Sequence, residues 1–307
     1  MKGEPFYISP PPMMGGFPRD KVLKLNKSLY GQADTPRMWY DKLRASLEAR
    51  GFTVCKSDPC LFISKKVVCI VYVDDCLWFG RDIKDIDVVL KSFKEDGDKY
   101  NWEMTEGGSV EKFLGIKVNS LDDGAYKLTQ EGLIDKILKA MGMENCNPAV
   151  APTSGPKPLG PDPHGKGVQL QDKWSYASVV GMMMYLASNS RPEITFAVHQ
   201  CARFTHGTKH SHEKAILQIC RYLKGTQSEG SIIKHNMKEM LQVNCFTDAD
   251  FARLFSVGDS QDITSEMSRT GYVLTFAGCP ILLVSNLQIE VALSTLHAEC
   301  VSLSQSL

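Results

Sequence analysis

Residues 67–80 read VVCIVYVDDCLWFG, two strongly apolar runs joined by the adjacent carboxylates Asp74 and Asp75. Val, Ile and aromatic side chains favour strands, and a run this apolar has to bury at least one face. The stretch, with CLFISKK before it, therefore predicts strands with a tight turn at Asp74 and Asp75. An exposed Asp-Asp turn is the plain explanation of the pair, since Asp tolerates turn geometry. Three features oppose it. Common two-residue turns use Gly or Asn, and neither is present. The flanks are apolar on both sides, which suggests strands in the core of a sheet. Adjacent carboxylates near a core also repel each other and lose hydration unless a cation compensates them. A pair of divalent ions does so: two-metal sites hold ions about 3.5–4 Å apart and drive in-line displacement at phosphorus. Mg²⁺ in particular prefers carboxylate oxygens.

The rest of the chain reads as α+β. Residues 1–20 are rich in Pro and Gly and show no period. TPRMWYDKLRASLEARG carries helix punctuation, with Thr35 as cap, Pro36 at the first helical position and Gly51 past the end. Trp39, Leu43 and Leu47 recur every four residues and form its buried stripe. An amphipathic surface helix is expected over 82–98 and a hairpin in VEKFLGIKVNSLDDGAYKLTQ. A helix follows in EGLIDKILKAMGM, with Leu133, Ile137, Leu138 and Met141 on one face. Residues 147–167, dense in Pro and Gly, are the best linker candidate. Helices are expected over Tyr176–Ala187, Ile194–Phe204 and His212–Leu223, then strand-like alternation from Leu241 and a short helix in STLHAECVSLSQS.

Composition sets outer limits. The 307 residues are 43% hydrophobic and 23% charged, enough for two domains or more. Net charge is zero, so no global field draws a polyanion. Locally, residues 20–50 carry seven Lys/Arg against four acids, and residues 196–235 carry six against two. Solvated helix faces are the plain explanation for both. The ten cysteines are scattered without a CxxC pair, which points to reduced thiols inside a cell. The N-terminus lacks the apolar core of a signal peptide, and no apolar run is long enough to span a membrane. The expectation is a soluble, intracellular protein with no membrane partner.

YVDD in a hairpin resembles the active-site turn of reverse transcriptases. Four residues alone are a weak signal, but their company is specific. KLNKSLYGQADTPRMWYDKL, YVDDCLWFG, FLGIKV, SYASVVGMMMYLASNSRPEITFAV, ARF and ILQICRYLKGT resemble the polymerase of copia-type LTR retrotransposon polyproteins. TDADFA, SRTGYV and VALSTLHAEC resemble its ribonuclease H region. The blocks are colinear over nearly the whole chain, which counts for more than any one of them.

The resemblance implies a partial polymerase palm with fingers and the start of the thumb over 1–145, and a linker over 146–173. Thumb and connection helices follow over 174–238, then the N-terminal part of a truncated ribonuclease H-like α/β domain over 239–307. The implied reaction is RNA-directed DNA synthesis, the transfer of a nucleotide to a primer 3′-hydroxyl with two Mg²⁺ ions. The implied partners are an RNA/DNA template–primer duplex, nucleoside triphosphates and other parts of the same polyprotein. The implied location is a cytoplasmic element particle with entry to the nucleus. Asp74 and Asp75 would be catalytic metal ligands, the first the more direct. Tyr72 would lie next to the primer end and the incoming nucleotide. The Gly31 region would contact the template-side base and the nucleotide, and Arg37 the nucleic acid or substrate. Phe113–Ile116, with Gly115, would sit where the palm meets the primer strand. The basic residues of 20–50 would meet phosphates, which positions a duplex without reading its sequence.

A second acidic set follows. VNCFTDADFA reads as a strand ending in acids and STLHAECVSL as a helix start. By the resemblance, Asp248 is a strand Asp and Glu299 a helix Glu that share two metal ions and cleave the RNA of a hybrid. Asp250 is a further metal ligand or an exposed acid. By sequence alone Glu299 is an ordinary surface acid. His206, His210 and His212 lack a Cys or acid to complete a coordination set, so a polar loop entering a helix is preferred, with His212 structural.

The family pattern is also broken in places. Its third polymerase carboxylate is expected upstream of Met1, since Glu4 and Asp20 sit in no apolar run. A further ribonuclease H Asp is expected beyond Leu307. Gln32–Thr35 put an acid where the family has a cation, and Val284 and Asn286–Leu287 replace a Trp and a Lys pair. The expectation is a chain inactive on its own, with a catalytically inactive nucleic-acid-binding remnant as the alternative function.

Overall fold

The computed structural model describes residues 6–10, 18, 21–95, 100, 102–108, 110–155, 159–162, 164–166, 174–234, 242–252 and 263–307. Parts of the expected linker (156–158, 163, 167–173), the end of the expected helix at 96–98, residues 239–241, and Glu4 and Asp20 lie outside the described residues. The chain combines helices with antiparallel sheets and divides into two compact units, Met1–Gly108 and Ser109–Leu307.

In the first unit, β1 (Tyr7–Ile8) pairs antiparallel with β2 (Leu23–Lys24). Helix α1 spans Thr35–Glu48. Its N-cap is Asp34, not the expected Thr35; Thr35 is already helical, and its hydroxyl donates back to the Leu29 carbonyl at 2.9 Å. Pro36 lies in the first turn, where its missing N–H would have had no helical partner. Leu43 and Leu47 are buried, as their spacing predicts, with Trp39 packed beside them. Strands β3 (Thr53–Val54), β4 (Leu61–Ile63), β5 (Val67–Tyr72) and β6 (Asp75–Gly80) form one antiparallel sheet in sequence order, followed by α2 (Ile83–Glu95). Side-chain alternation sorts β5: Val67, Cys69 and Val71 enter the core with Phe62, while Ile70 and Tyr72 are exposed. Arg50 ties α1 to α2, donating to the Ser46 carbonyl at 2.8 Å and the Ser92 carbonyl at 2.9 Å.

In the second unit, β7 (Lys112–Phe113), β8 (Ile116–Ser120) and β9 (Tyr126–Thr129) form a meander. Helices α3 (Glu131–Met141), α4 (Tyr176–Asn189), α5 (Thr195–Ala202) and α6 (His210–Gly225) follow. Strand β10 (Ser231–Ile233) then returns to pair with β9. The four helices share one core in which Ile134, Ile137, Met183, Leu186, Val198 and Leu223 are buried. Helix α3 lies before the Pro/Gly-rich stretch and α4 after it, so that stretch joins two parts of one unit. It is no free linker where described. The Ala149 N–H donates to the Arg221 carbonyl at 3.1 Å, Gln218 to the Ala151 carbonyl at 2.8 Å and Arg221 to the Asn147 carbonyl at 2.9 Å. His212 anchors its far end. Its Nδ1 accepts the Lys209 N–H at 2.9 Å, which leaves Nε2 as the donor to the Gly160 carbonyl at 2.8 Å. The ring also stacks on Phe204, so the structural reading of this histidine holds.

The chain closes with β11 (Val243–Asp250), β12 (Arg269–Phe276) and β13 (Cys279–Leu287), antiparallel in that order, and α7 (Thr295–Ser306) packed on β11 and β12. No helix among the described residues is long and apolar enough to cross a membrane.

Candidate active site

The β5–β6 hairpin closes on the pair Tyr72↔Asp75, leaving Val73 and Asp74 as a two-residue turn. Val73 has φ 51°, and Asp74 is not in the left-handed region. That is the pattern of a II′ turn, whose first central position normally takes Gly. A β-branched residue there is strained by roughly 1–3 kcal/mol. The sequence reading missed Val73 itself. The available signal was the absence of Gly or Asn at a turn that the apolar flanks demanded.

The tip stands open. Tyr72 is 54% exposed and Val73 65%, and Asp74 and Asp75 are exposed too. Tyr72 and Asp75 are directly paired and so share the outer face of the sheet, opposite the buried Cys69 and Val71. Neither aspartate forms an ion pair with a described residue. Beneath the tip, the Cys69 and Cys76 thiols hydrogen-bond across the strands. This bond, with burial, pushes Cys69 above the usual thiol range, and the same bond lowers Cys76. Two adjacent carboxylates in water, with no cation of a described residue paired to them, are a hard-oxygen donor set that suits Mg²⁺.

Two other expected contact residues lie in the same unit. Gly31 sits in a turn at φ 96°, a left-handed backbone that suits glycine. Arg37 reaches Asp41 only at 4.0 Å, and its side chain is 87% exposed, so its charge is available to an external anion. Gly115 lies in the second unit. With Leu114 at φ 51° and Gly115 at φ 80°, the pair closes Phe113↔Ile116 as a I′ turn, and the Leu114 carbonyl accepts the Tyr185 hydroxyl at 2.7 Å.

The second acidic set behaves differently. Thr247 on β11 meets α7 through Ser302 at 2.7 Å, and Cys245 reaches the Ser306 carbonyl. Strand alternation then turns Asp248 and Asp250 to the face away from α7, the helix that carries Glu299. Asp250 pairs in register with Arg269. Arg269 is buried, donates to the Ser285 carbonyl at 3.0 Å and lies 5.3 Å from the Phe196 ring centroid. Burial, then the nearby Arg203, lower its pKa to about 10, and Asp250 opposes that shift. Among the described residues, no three His, Cys, Asp or Glu side chains stand together as a metal-holding group. Asp248, Asp250 and Glu299 are therefore not brought together as a metal set. Sequence spacing could not reveal this, because it depends on which face of β11 the helix covers.

Comparison with known proteins shows the family. Residues 2–155, half of the chain, match the family described as reverse transcriptase (RNA-dependent DNA polymerase). The chain is 32% identical over 294 residues to the retrovirus-related Pol polyprotein from transposon TNT 1-94 of Nicotiana tabacum, covering 93% of this chain and 21% of that protein. It is 31% identical over 303 residues to the Pol polyprotein from transposon RE1 of Arabidopsis thaliana, covering 95% and 19%. A putative transposon Ty5-1 protein of Saccharomyces cerevisiae is 26% identical over 288 residues, covering 91% and 86%. The chain thus spans only 21% and 19% of the length of the two Pol polyproteins.

Proposed function

Because the chain belongs to the reverse transcriptase family, the RNA-dependent DNA polymerases, we propose that it is the polymerase portion of a copia-type retrotransposon polyprotein. In this reading it extends a primer 3′-hydroxyl on an RNA template with nucleoside triphosphates, alongside other parts of the polyprotein in a cytoplasmic element particle. The observation that carries the reading is the β5–β6 tip, where Tyr72, Asp74 and Asp75 are exposed together on a strained turn within the matched residues. Asp74 and Asp75 would hold Mg²⁺, which when bound neutralises charge developing at phosphorus and makes the attacking hydroxyl more acidic.

The chain's own residues supply position. Cys69, Val71 and Phe62 root the hairpin in a packed core, so the acids sit on a rigid element rather than a loose loop. Tyr72 offers an exposed flat ring beside them, suited to the sugar and base of a nucleotide. Arg37 and the exposed lysines of the 20–50 segment meet phosphates. The β11–β13 sheet with α7 is the ribonuclease H-like portion in this reading. Its three acids do not fit a shared metal site, so no cleavage step is assigned to it.

Primer extension on a primed RNA template tests the proposal. Mg²⁺-dependent incorporation that disappears in Asp74→Asn supports it. A second reading, a nucleic-acid-binding remnant without catalysis, is favoured by one observation: among the described residues no third acid, His or Cys joins the aspartate pair. Duplex binding that weakens steeply with salt but ignores both Mg²⁺ and Asp74→Ala, with no incorporation, selects that reading.

A further inference from the structure

Within the second unit, α5, α6 and residues 152–155 and 159 enclose a cavity of about 170 Å³. Ser211, Lys214, Gln218 and Ile219 line it from α6, and Phe196 and Ala197 from α5. Residues three, four, seven and eight apart share one face of a helix, so the α6 wall runs over two turns. From Ser211 to Ile219 that wall is about 12 Å long at 1.5 Å per residue. A space so long with so small a volume is a slot for one ring or one short chain. An apolar cavity of about 150 Å³ is already enough to hold benzene.

The two ends of the α6 wall differ. Ile219 is buried and apolar, as is Ala197 across from it on α5. Ser211 and Lys214 stand at the other end, near the start of α6. The Ser211 hydroxyl oxygen is buried yet finds no hydrogen-bond partner. A buried hydroxyl left so is costly unless something enters to meet it. Lys214 is exposed and is the one charged residue among those lining the slot. It forms no ion pair with a described residue. Its helix neighbours at three and four residues are His210, Ser211, Leu217 and Gln218, none of them an acid. Residues 145–155, which include part of the lining, carry no charge. The nearest acid on α6, Glu213, is buried, does not line the slot and is bound to His210 at 3.0 Å. Gln218 is already engaged with the Ala151 carbonyl.

We infer that this slot binds a small monocarboxylic acid whose apolar body is a single ring or a short chain. The carboxylate accepts from the Ser211 hydroxyl and the Lys214 ammonium. The body lies against Phe196, Ala197 and Ile219. Apolar walls with a few placed polar groups are the usual make-up of a small-molecule site. Such a site owes nothing to the polymerase reading. Ordered water would satisfy Ser211 equally well but would make no use of the Lys214 charge, and that difference separates the two occupants.

Titration of the full chain with hydrocinnamate, a ring on a short chain ending in a carboxylate, provides the test. The methyl NMR signals of Ala197, Ala215 and Ile219 should shift and saturate. Hydrocinnamyl alcohol, which has the same body without the charge, should bind about ten-fold more weakly, and Lys214→Gln should weaken the acid by a similar factor. Ser211→Ala should weaken it by about five-fold. Lys214→Glu should lose the acid and take phenylpropylamine instead, whereas Lys139→Glu, an exposed change on α3, should leave the affinity for the acid unaltered. Shifts that are absent or never saturate mean that the slot holds water only, and they overturn the inference. Equal affinity for acid and alcohol does the same, as does an equal effect of the two glutamate substitutions.

Discussion

Asp74–Asp75 on the β5–β6 turn and Asp248–Asp250 on β11 are two short acidic motifs with opposite surroundings. The first pair is exposed on a strained reversal and forms no ion pair with a described residue. The second lies on a regular strand, where Asp250 faces the buried Arg269 and the helix bearing Glu299 covers the other face. A carboxylate with a cation already beside it contributes to the fold. One left to water keeps its oxygens for an external cation. The contrast teaches that an acidic doublet becomes a metal-site candidate through what the fold withholds from it.

The largest expected effect lies at the first pair. Asp74→Asn should lower Mg²⁺-dependent incorporation by about a thousand-fold, in the range for removing a charge-stabilising group, while Asp250→Asn leaves it essentially unchanged. Equal losses from both substitutions, in primer-extension rates, would erase the distinction between the two pairs. Next in size, Arg269→Met should destabilise the second unit by about 2–4 kcal/mol in urea unfolding, because it removes the buried charge that stands opposite Asp250 and the donor to the Ser285 carbonyl. Asp75→Asn should leave stability nearly unchanged, since it only relieves repulsion at an exposed tip. Val73→Gly should raise the urea midpoint of the first unit, worth about 1 kcal/mol, by removing the left-handed strain. An unchanged or lower midpoint would mean that the turn stores no strain.

The smallest effect is a pH dependence confined to the second unit. His199 on α5 packs against β13 near Ser285, and burial lowers its pKa, as it does for His212. Both are held neutral in the folded state, so their stabilisation is complete above about pH 6.5 and is lost as pH falls below it, where the unfolded histidines take up protons first. Thermal unfolding of the second unit should shift down between pH 7.5 and 5.5, and His199→Gln should flatten part of that slope. A slope unaltered by the substitution would assign the dependence to other groups.

Local readings succeeded where one element carried its own signal. The four-residue spacing of Trp39, Leu43 and Leu47 identified the inner face of α1, and the apolar flanks of Asp74 and Asp75 identified a hairpin. Asp34 holds the cap expected at Thr35, because Asp and Thr are both good caps and helix ends are legible only to within a residue or two. The Pro/Gly stretch looked like a linker because composition reports the absence of regular structure. It cannot report that backbone groups such as the Asn147 and Ala151 carbonyls find partners on a helix some seventy residues later.

The sequence by itself determined the main helices, the two-aspartate hairpin and the family to which the chain belongs, because each rests on residues close together in the chain or on colinear motifs; it did not determine the short strands β1, β2 and β10. Only the tertiary structure decided that Asp248 and Asp250 turn away from the helix carrying Glu299 and that Arg269 stands opposite Asp250. Strand register and the face a helix covers are set by packing between distant segments, and a one-residue shift in either would send every one of those side chains to the opposite face.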